Sequence, residues 1–306
     1  MTGRPYVIYD VFTRDALAGN PLAVVLDATG LDTAAMQKIA GEFNLSETVF
    51  VAPPRDPAHA AAIRIFTPQY EMPFAGHPTV GTAIALAERA GSVSGEQATL
   101  LVLEEKIGDV RCAVTKKPGQ AAFAEFDLPQ LSKPVDFVPD EGAIAAALGI
   151  GVDDIGFDGH RPGLWSAGVP YLAVPVSGLA VIASLQFDAA AWLDLAPIRD
   201  NGAPASAYIY CRETRDEASS FHARMFVPGP PAYEDPATGS AAAAFSGAIQ
   251  HFDRLADGSH GCWIEQGVEM GRPSRIRLEL QVAAGRIEAA RIGGEAVRVA
   301  QGTLDL

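Results

Sequence analysis

His77 occupies an unusual place. The stretch Glu71 to Ala83, EMPFAGHPTVGTA, sets Gly, His and Pro directly before a run of small and apolar residues that reads as a buried helix. An imidazole there can donate, accept or relay a proton near neutral pH. It would do so at the positive end of the helix, where first-turn backbone N–H groups lack partners within the helix. A second stretch is built alike: Glu234 to Ala244, EDPATGSAAAA, places Gly239 and Ser240 before another small-residue helix. Two such helix starts suit a carboxylate, or negative charge that develops during a reaction. Taken alone, Gly-His-Pro at a helix start is explained better by backbone conformation than by chemistry.

The two stretches are copies of one another. Arg64-Ile65-Phe66-Thr67-Pro68 recurs as Arg224-Met225-Phe226-Val227-Pro228, and Glu71-x-Pro-x-x-Gly76 recurs as Glu234-x-Pro-x-x-Gly239. Arg64 and Arg224 lie 160 residues apart and Glu71 and Glu234 lie 163 apart, so one internal duplication accounts for both matches.

The elements that must carry these residues follow an α/β pattern rich in strands. YVIYDVF, PLAVVLD, ETVFVA, AAIRIF, ATLLVLEE, DVRCAV and AAFAEF read as strands. Helices are expected at about Thr33 to Glu42 with Asp32 as N-cap, at about Thr79 to Ala90, and around Glu141 to Leu148. Asp127 to Asp140, DLPQLSKPVDFVPD, has three prolines among polar residues and reads as a linker between two domains.

Composition narrows the function classes. The 306 residues carry 48% hydrophobic residues, enough for a large core without staples, and three scattered cysteines, Cys112, Cys211 and Cys262, which suit reduced thiols in a cytoplasmic protein. A formal net charge of −14 with no basic run argues against nucleic acid and acidic membranes as partners. The longest apolar stretch, Val169 to Leu185, is broken by two prolines and is a poor membrane span. His251, His260 and Cys262 match no zinc spacing, and neither GxGxxG nor GxxxxGK[ST] occurs in a nucleotide-binding context, so neither a metal nor a cofactor is expected.

The segments AGNPLAVV (18–25), NLSETVFV (44–51), FTPQYEMPFAGHPTVGTA (66–83), EDPATGSAAAA (234–244) and QGVEMGRPSRI (266–276) resemble, in order and over nearly the whole chain, the PhzF family, named for the phenazine-biosynthesis isomerase. The resemblance implies the diaminopimelate epimerase-like fold: two pseudo-symmetric α/β halves, each a curved, mostly antiparallel sheet around a central helix, with the active site between them. The halves are expected at 1–128, completed by a strand at about 296–306, and at 129–295. A homodimer is implied as well.

Racemases of the wider superfamily use two cysteines at the central helix starts. The equivalent positions here are Ala75 and Thr238, so a two-thiol mechanism is not expected. The resemblance instead makes Glu47 the acid and base, His77 and Asp235 active-site partners, and Gly76, Gly239 and Ser240 the surroundings of a substrate carboxylate. Asn20 and Ser46 belong to the same matched segments, with a turn-forming role equally open to Asn20. Glu47 opens a short apolar strand, where desolvation could raise its carboxyl pKa toward working pH. From the residue alone, a solvated carboxylate at a strand start is the other reading. The implied reaction is a cofactor-independent isomerisation that shifts a proton and a double bond in a small amino- or hydroxy-carboxylate, of the type undergone by dihydro-hydroxyanthranilate. Epimerisation or elimination on a related amino acid, or carboxylate binding without catalysis, are the alternatives.

Overall fold

Ser274–Ala283 buries almost every second side chain, and Gly108–Lys116 does so from Val110 onward, the period-two signature of strands with one covered face. Strands of this kind dominate the computed structural model, which describes residues 3–91, 93–198, 202–229 and 231–306. The chain forms two units, Met1–Asp127 with Gly293–Leu306, and Leu128–Ile292.

The first unit comprises β1 (Arg4–Val11), β2 (Asn20–Val25), α1 (Thr33–Phe43), β3 (Glu47–Ala52), β4 (Ala61–Phe66), β5 (Glu71–Met72), α2 (Gly76–Arg89), β6 (Gln97–Glu105), β7 (Gly108–Lys116) and β8 (Ala122–Asp127). β1 pairs antiparallel with β2, β2 runs parallel to β3, β3 is antiparallel to β4, and β4 pairs antiparallel with β5 and parallel with β6. An antiparallel meander of β6, β7 and β8 follows. The second unit comprises β9 (Lys133–Val135), α3 (Glu141–Leu148), β10 (Gly163–Ser166), β11 (Pro170–Pro175), α4 (Leu179–Ser184), α5 (Ala189–Leu195), β12 (Ser206–Cys211), β13 (Phe221–Val227), β14 (Tyr233–Asp235), α6 (Gly239–Asp253), β15 (Gly258–Gln266) and β16 (Ser274–Ala283). Its pairings repeat the plan of the first: β10 and β11 antiparallel, β11 and β12 parallel, β12 antiparallel to β13, and β13 antiparallel to β14 and parallel to β15, which pairs with β16. The last strand, β17 (Arg286–Leu304), begins in the second unit and ends in the first, where Ala296 to Leu304 pair antiparallel with β1.

Each unit wraps its strands around one helix. α2 packs against β1, β2, β3, β6, β7 and β8, and every residue from Gly76 to Ala85 is buried. α6 packs against β9, β10, β11 and β16 and is buried from Ala241 through Ile249. A helix buried on all sides needs small residues where strands come close. At Gly81 an added Cβ would stand 2.8 Å from Val11 Cγ2 and 2.6 Å from Leu22 Cδ2, so β1 and β2 approach α2 because that position has no side chain.

Two expectations about element limits need correction. α2 starts at Gly76, three residues before the expected Thr79, because a proline at the third helical position forfeits only an N–H that the first turn leaves unpaired in any case. The proline-rich segment 127–140 is not bare linker: Lys133–Val135 pairs with β10. α1 and α3 form where expected, capped by Asp32 and Asp140, whose carboxylates accept from Ala35 N and Ala143 N.

The duplicated residues have a structural task. Arg64 donates through Nε and a terminal nitrogen to both oxygens of Glu71 (2.8 Å each) and lies over the Phe66 ring at 5.0 Å. Arg224 does the same with Glu234 (2.9 and 2.8 Å) and Phe226 (4.9 Å). A further copy escaped the sequence reading: Arg55-Asp56-x-Ala58 and Arg215-Asp216-x-Ala218. The backbone N–H groups of each Arg-Asp pair donate to a buried carboxylate on β6 or β15, Glu104 or Glu265.

In the second unit Glu265 also holds His222, fully buried with Nδ1 2.6 Å from Glu265 and Nε2 3.1 Å from Glu269. Burial opposes charging the ring, but the two carboxylates outweigh it and raise its pKa to about 9. The folded state therefore holds a proton that the unfolded chain, with a histidine pKa near 6.5, begins to release. This contribution, on the order of 3 kcal/mol, is fully present below about pH 6.5 and lost as pH rises through about 9. Glu265 and Glu269, both lowered in pKa, stay ionised throughout that window. Urea denaturation midpoints should thus fall between pH 6.5 and 9.5 in the natural protein and change much less in His222→Gln; equal falls in both would refute this assignment.

Candidate active site

In the first unit Asn44 closes α1 in the left-handed conformation (φ 50°), which asparagine tolerates, and returns the chain through Leu45 and the half-buried Ser46 into β3. Glu47 opens β3 beside Leu22 of β2. Its carboxylate Oε2 stands 3.3 Å from His77 Nε2, and the two side chains are 15% and 6% exposed. The approach lacks hydrogen-bond alignment, and His77 Nε2 has no hydrogen-bond partner among the described residues. Burial pushes the imidazole pKa down to about 3, so the ring is neutral at pH 7 and keeps one N–H and one lone pair for use.

α2 supplies the rest of this constellation. Its N-cap, Ala75, is extended (φ −155°, ψ 138°) and offers no side-chain cap. Thr79 N–H is the first to bond back, to Ala75 O at 3.2 Å. The amides of Gly76 and His77 therefore have no acceptor within the helix, and these two donors carry the positive end of its dipole. Asn20 begins β2, fully buried, opposite Val11. Gly19 before it has φ +64°, and a Cβ there would stand 2.4 Å from Val11 O, so the Gly19-Asn20-Pro21 turn has a conformational reason for its glycine. β2 and β3 run parallel, so Asn20 and Ser46 lie at the same ends of neighbouring strands.

In the second unit Asp235 ends β14, buried, and accepts the Thr238 hydroxyl. Thr238 is the N-cap of α6 and spends its hydroxyl on Asp235, not on its own helix. Gln266 braces the corner: its Oε1 accepts Thr238 N–H (3.3 Å), and its Nε2 donates to Asp235 O (2.8 Å) and Thr238 Oγ1 (3.1 Å). Gly239 and Ser240 form the first turn, and Ser240 Oγ shares a hydrogen bond of 2.7 Å with Tyr171 OH. As in the first unit, the earliest amides to bond back are those beyond the second residue, Ala241 and Ala242, both to Thr238 O.

Thus Glu47, His77 and Gly76 come together in one unit, and Asp235, Gly239 and Ser240 in the other. Ala75 and Thr238, which the resemblance aligns with the racemase cysteines, are both N-caps. The cysteines lie elsewhere, and burial raises all three thiols, Cys211 to about 12 and Cys262 to about 11. Among the described residues no cluster of His, Cys, Asp or Glu could hold a metal ion, and no helix is long and apolar enough to cross a membrane. Tyr171 and Gln266 were not singled out from the sequence. Gln266 opens one of the resembling segments, QGVEMGRPSRI, whereas nothing local marks Tyr171.

Comparison with known proteins bears on the family and the fold. The family model PhzC-PhzF, phenazine biosynthesis-like protein, matches residues 9–302. An uncharacterized isomerase of Mesorhizobium japonicum is 62% identical over 99% of each chain. Trans-2,3-dihydro-3-hydroxyanthranilate isomerase of Pseudomonas aeruginosa is 32% identical over 97% of this chain and 98% of its own. The crystal structure of a PhzF family phenazine biosynthesis protein from Bacillus anthracis matches with a TM-score of 0.87 at 27% identity, covering all of both chains. The fold is therefore the diaminopimelate epimerase-like one, each unit a mostly antiparallel sheet around a central helix.

Proposed function

The chain belongs to the PhzC-PhzF family of phenazine biosynthesis-like proteins and is an isomerase or epimerase, and we propose that it moves a proton between carbons of a small amino- or hydroxy-carboxylate with Glu47 as acid and base. The observation that carries this reading is the 3.3 Å approach of Glu47 Oε2 to a buried, neutral His77 at the positive end of α2. A carboxylate so placed can take a proton from a C–H bond activated by neighbouring unsaturation. The electron pair left on carbon spreads into the conjugated system, and the first-turn amides stabilise the charge that develops. The Glu47 acid then returns the proton at a second carbon. One C–H bond breaks, one forms and the double bond moves, so no oxidant or reductant is needed.

His77 offers a hydrogen bond to the substrate or to the protonated Glu47 without a charge of its own. In this reading Asp235 holds a substrate amine or hydroxyl, Gly239 and Ser240 meet the carboxylate, and Asn20 and Ser46 line its approach. The 32% identical relative from P. aeruginosa, an isomerase of trans-2,3-dihydro-3-hydroxyanthranilate, supports that compound's class as substrate.

Proton NMR in heavy water tests the proposal, with the protein incubated with dihydro-hydroxyanthranilate and related small carboxylates. Deuterium should appear at a carbon that carried no proton in the starting double bond, which marks isomerisation. Deuterium only at the original carbon would make the reaction an epimerisation. Binding of these compounds with neither exchange nor conversion of any of them would overturn carbon-acid chemistry.

A further inference from the structure

Beneath the first turn of α2 lies a carboxyl group that this mechanism does not use. Glu105, the last residue of β6, is 5% exposed. Its Oε1 is 2.8 Å from Thr79 Oγ1, and the same hydroxyl is 2.8 Å from Ala75 O, the N-cap carbonyl of the helix that bears His77. Oε2 of Glu105 is buried and has no hydrogen-bond partner among the described residues. We infer that Glu105 is a positioning residue for the reaction proposed above: through Thr79 it fixes the first turn of α2 and with it the approach of His77 to Glu47.

Counting hydrogens gives the state in which it does so. Thr79 has one hydroxyl hydrogen, and Ala75 O can only accept. If Glu105 is a neutral acid, its O–H donates to Thr79, Thr79 donates to Ala75 O, and both links are made. If Glu105 is ionised, the two acceptors compete for one hydrogen and a buried charge is left with an unpartnered oxygen, an arrangement a low-polarity interior disfavours. The surroundings favour the acid. Thr79 on α2 carries no charge. Cys112 on β7 is the titratable neighbour, its thiol raised first by burial and then by Glu105 and by Asp127 at the end of β8, so it stays neutral. No ion pair reaches Glu105 among the described residues. Burial accordingly raises the Glu105 carboxyl to about 8, partly opposed by the Thr79 bond. Glu104, its neighbour in sequence, is bonded by Arg55, Asp56 and His59 and takes no part in the Thr79 link.

The inference rests on the proposed role of the Glu47–His77 pair, so the test has two readouts. In natural protein the rate of solvent deuterium incorporation should fall above about pH 8, while Glu105→Gln, a neutral isostere that can still donate to Thr79, should keep a rate within about threefold of it at pH 7 and lose that alkaline limb. Glu105→Leu should lower kcat about tenfold or more with little change in KM, since small misplacements of reacting groups are costly. The second readout needs no activity: the His77 ring proton resonance in NMR should shift between pH 7 and 9.5 in natural protein and stay still in Glu105→Gln. A still resonance in natural protein, or an equal shift in Glu105→Gln, would overturn the inference whatever the reaction proves to be. A shifting resonance in a protein that neither exchanges a proton into nor converts any of these compounds would sustain the positioning link and refute the isomerase reading.

Discussion

Glu47→Gln should lower turnover by about 10² to 10⁴-fold, the range a positioned general acid or base supplies. The amide keeps the shape and polarity of the carboxylate at a partly exposed strand start, so the circular dichroism spectrum and melting behaviour should stay as they are. Substrate affinity should change little, because the lost step is proton abstraction and not carboxylate binding. Burst or single-turnover measurements of deuterium incorporation check this directly, and a variant rate within a factor of a few of the natural one would remove Glu47 from the mechanism. Since His77 is already neutral, its ionisation adds no feature to the pH–rate profile between about pH 5 and 8.

The second large effect concerns stability. Arg224 and Glu234 are 10% and 14% exposed in their side chains, and their two-point contact is screened from water. Arg224→Met leaves the Glu234 carboxylate nearly buried with its fork removed, which should destabilise the protein by about 3 kcal/mol. Arg64→Met removes the equivalent contact to Glu71, but Arg64 is 35% exposed and Lys106 stands 3.6 Å from the same carboxylate, so about 1 kcal/mol is expected there. Urea unfolding of both variants decides the matter. Equal losses would mean that burial does not set the difference between the two copies.

Arg64, Glu71 and their copies also show how far the sequence could be read. The duplication was visible because two short motifs recur at nearly one offset, and those motifs turn out to be arginine forks that lock a strand to the turn ahead of each central helix. Glu47 and His77 sit about thirty residues apart and share no pattern in the chain; only the pairing of β2 with β3 and the seat of α2 bring them to 3.3 Å. The copied Arg-Asp-x-Ala turns recur at the same offset of 160 residues, but their partners, Glu104 and Glu265, could not be read, because binding to backbone amides leaves no trace in residue type. Glu105 was illegible for a related reason. In LLVLEE two glutamates end an apolar strand and read as its solvated margin, yet the fold buries both and gives each a different partner. The limits of α2 were misjudged by three residues because proline is an ordinary breaker in the middle of a helix and a comfortable tenant of its first turn.

The path of β17 bears on how the polypeptide is made. β1 leaves the ribosome with β2 soon after it, but its other neighbour, Ala296 to Leu304, follows nearly three hundred residues later. Until then β1 has β2 on one side and an open row of N–H and C=O groups on the other, the kind of edge that recruits other nascent chains. Leu128–Ile292 is continuous and is complete before that edge is covered. Non-local pairing of this span slows folding, so β1 depends for longer on chaperones or on fast elongation. Damage to Ala296–Leu304 would accordingly be felt as aggregation through the uncovered edge of β1.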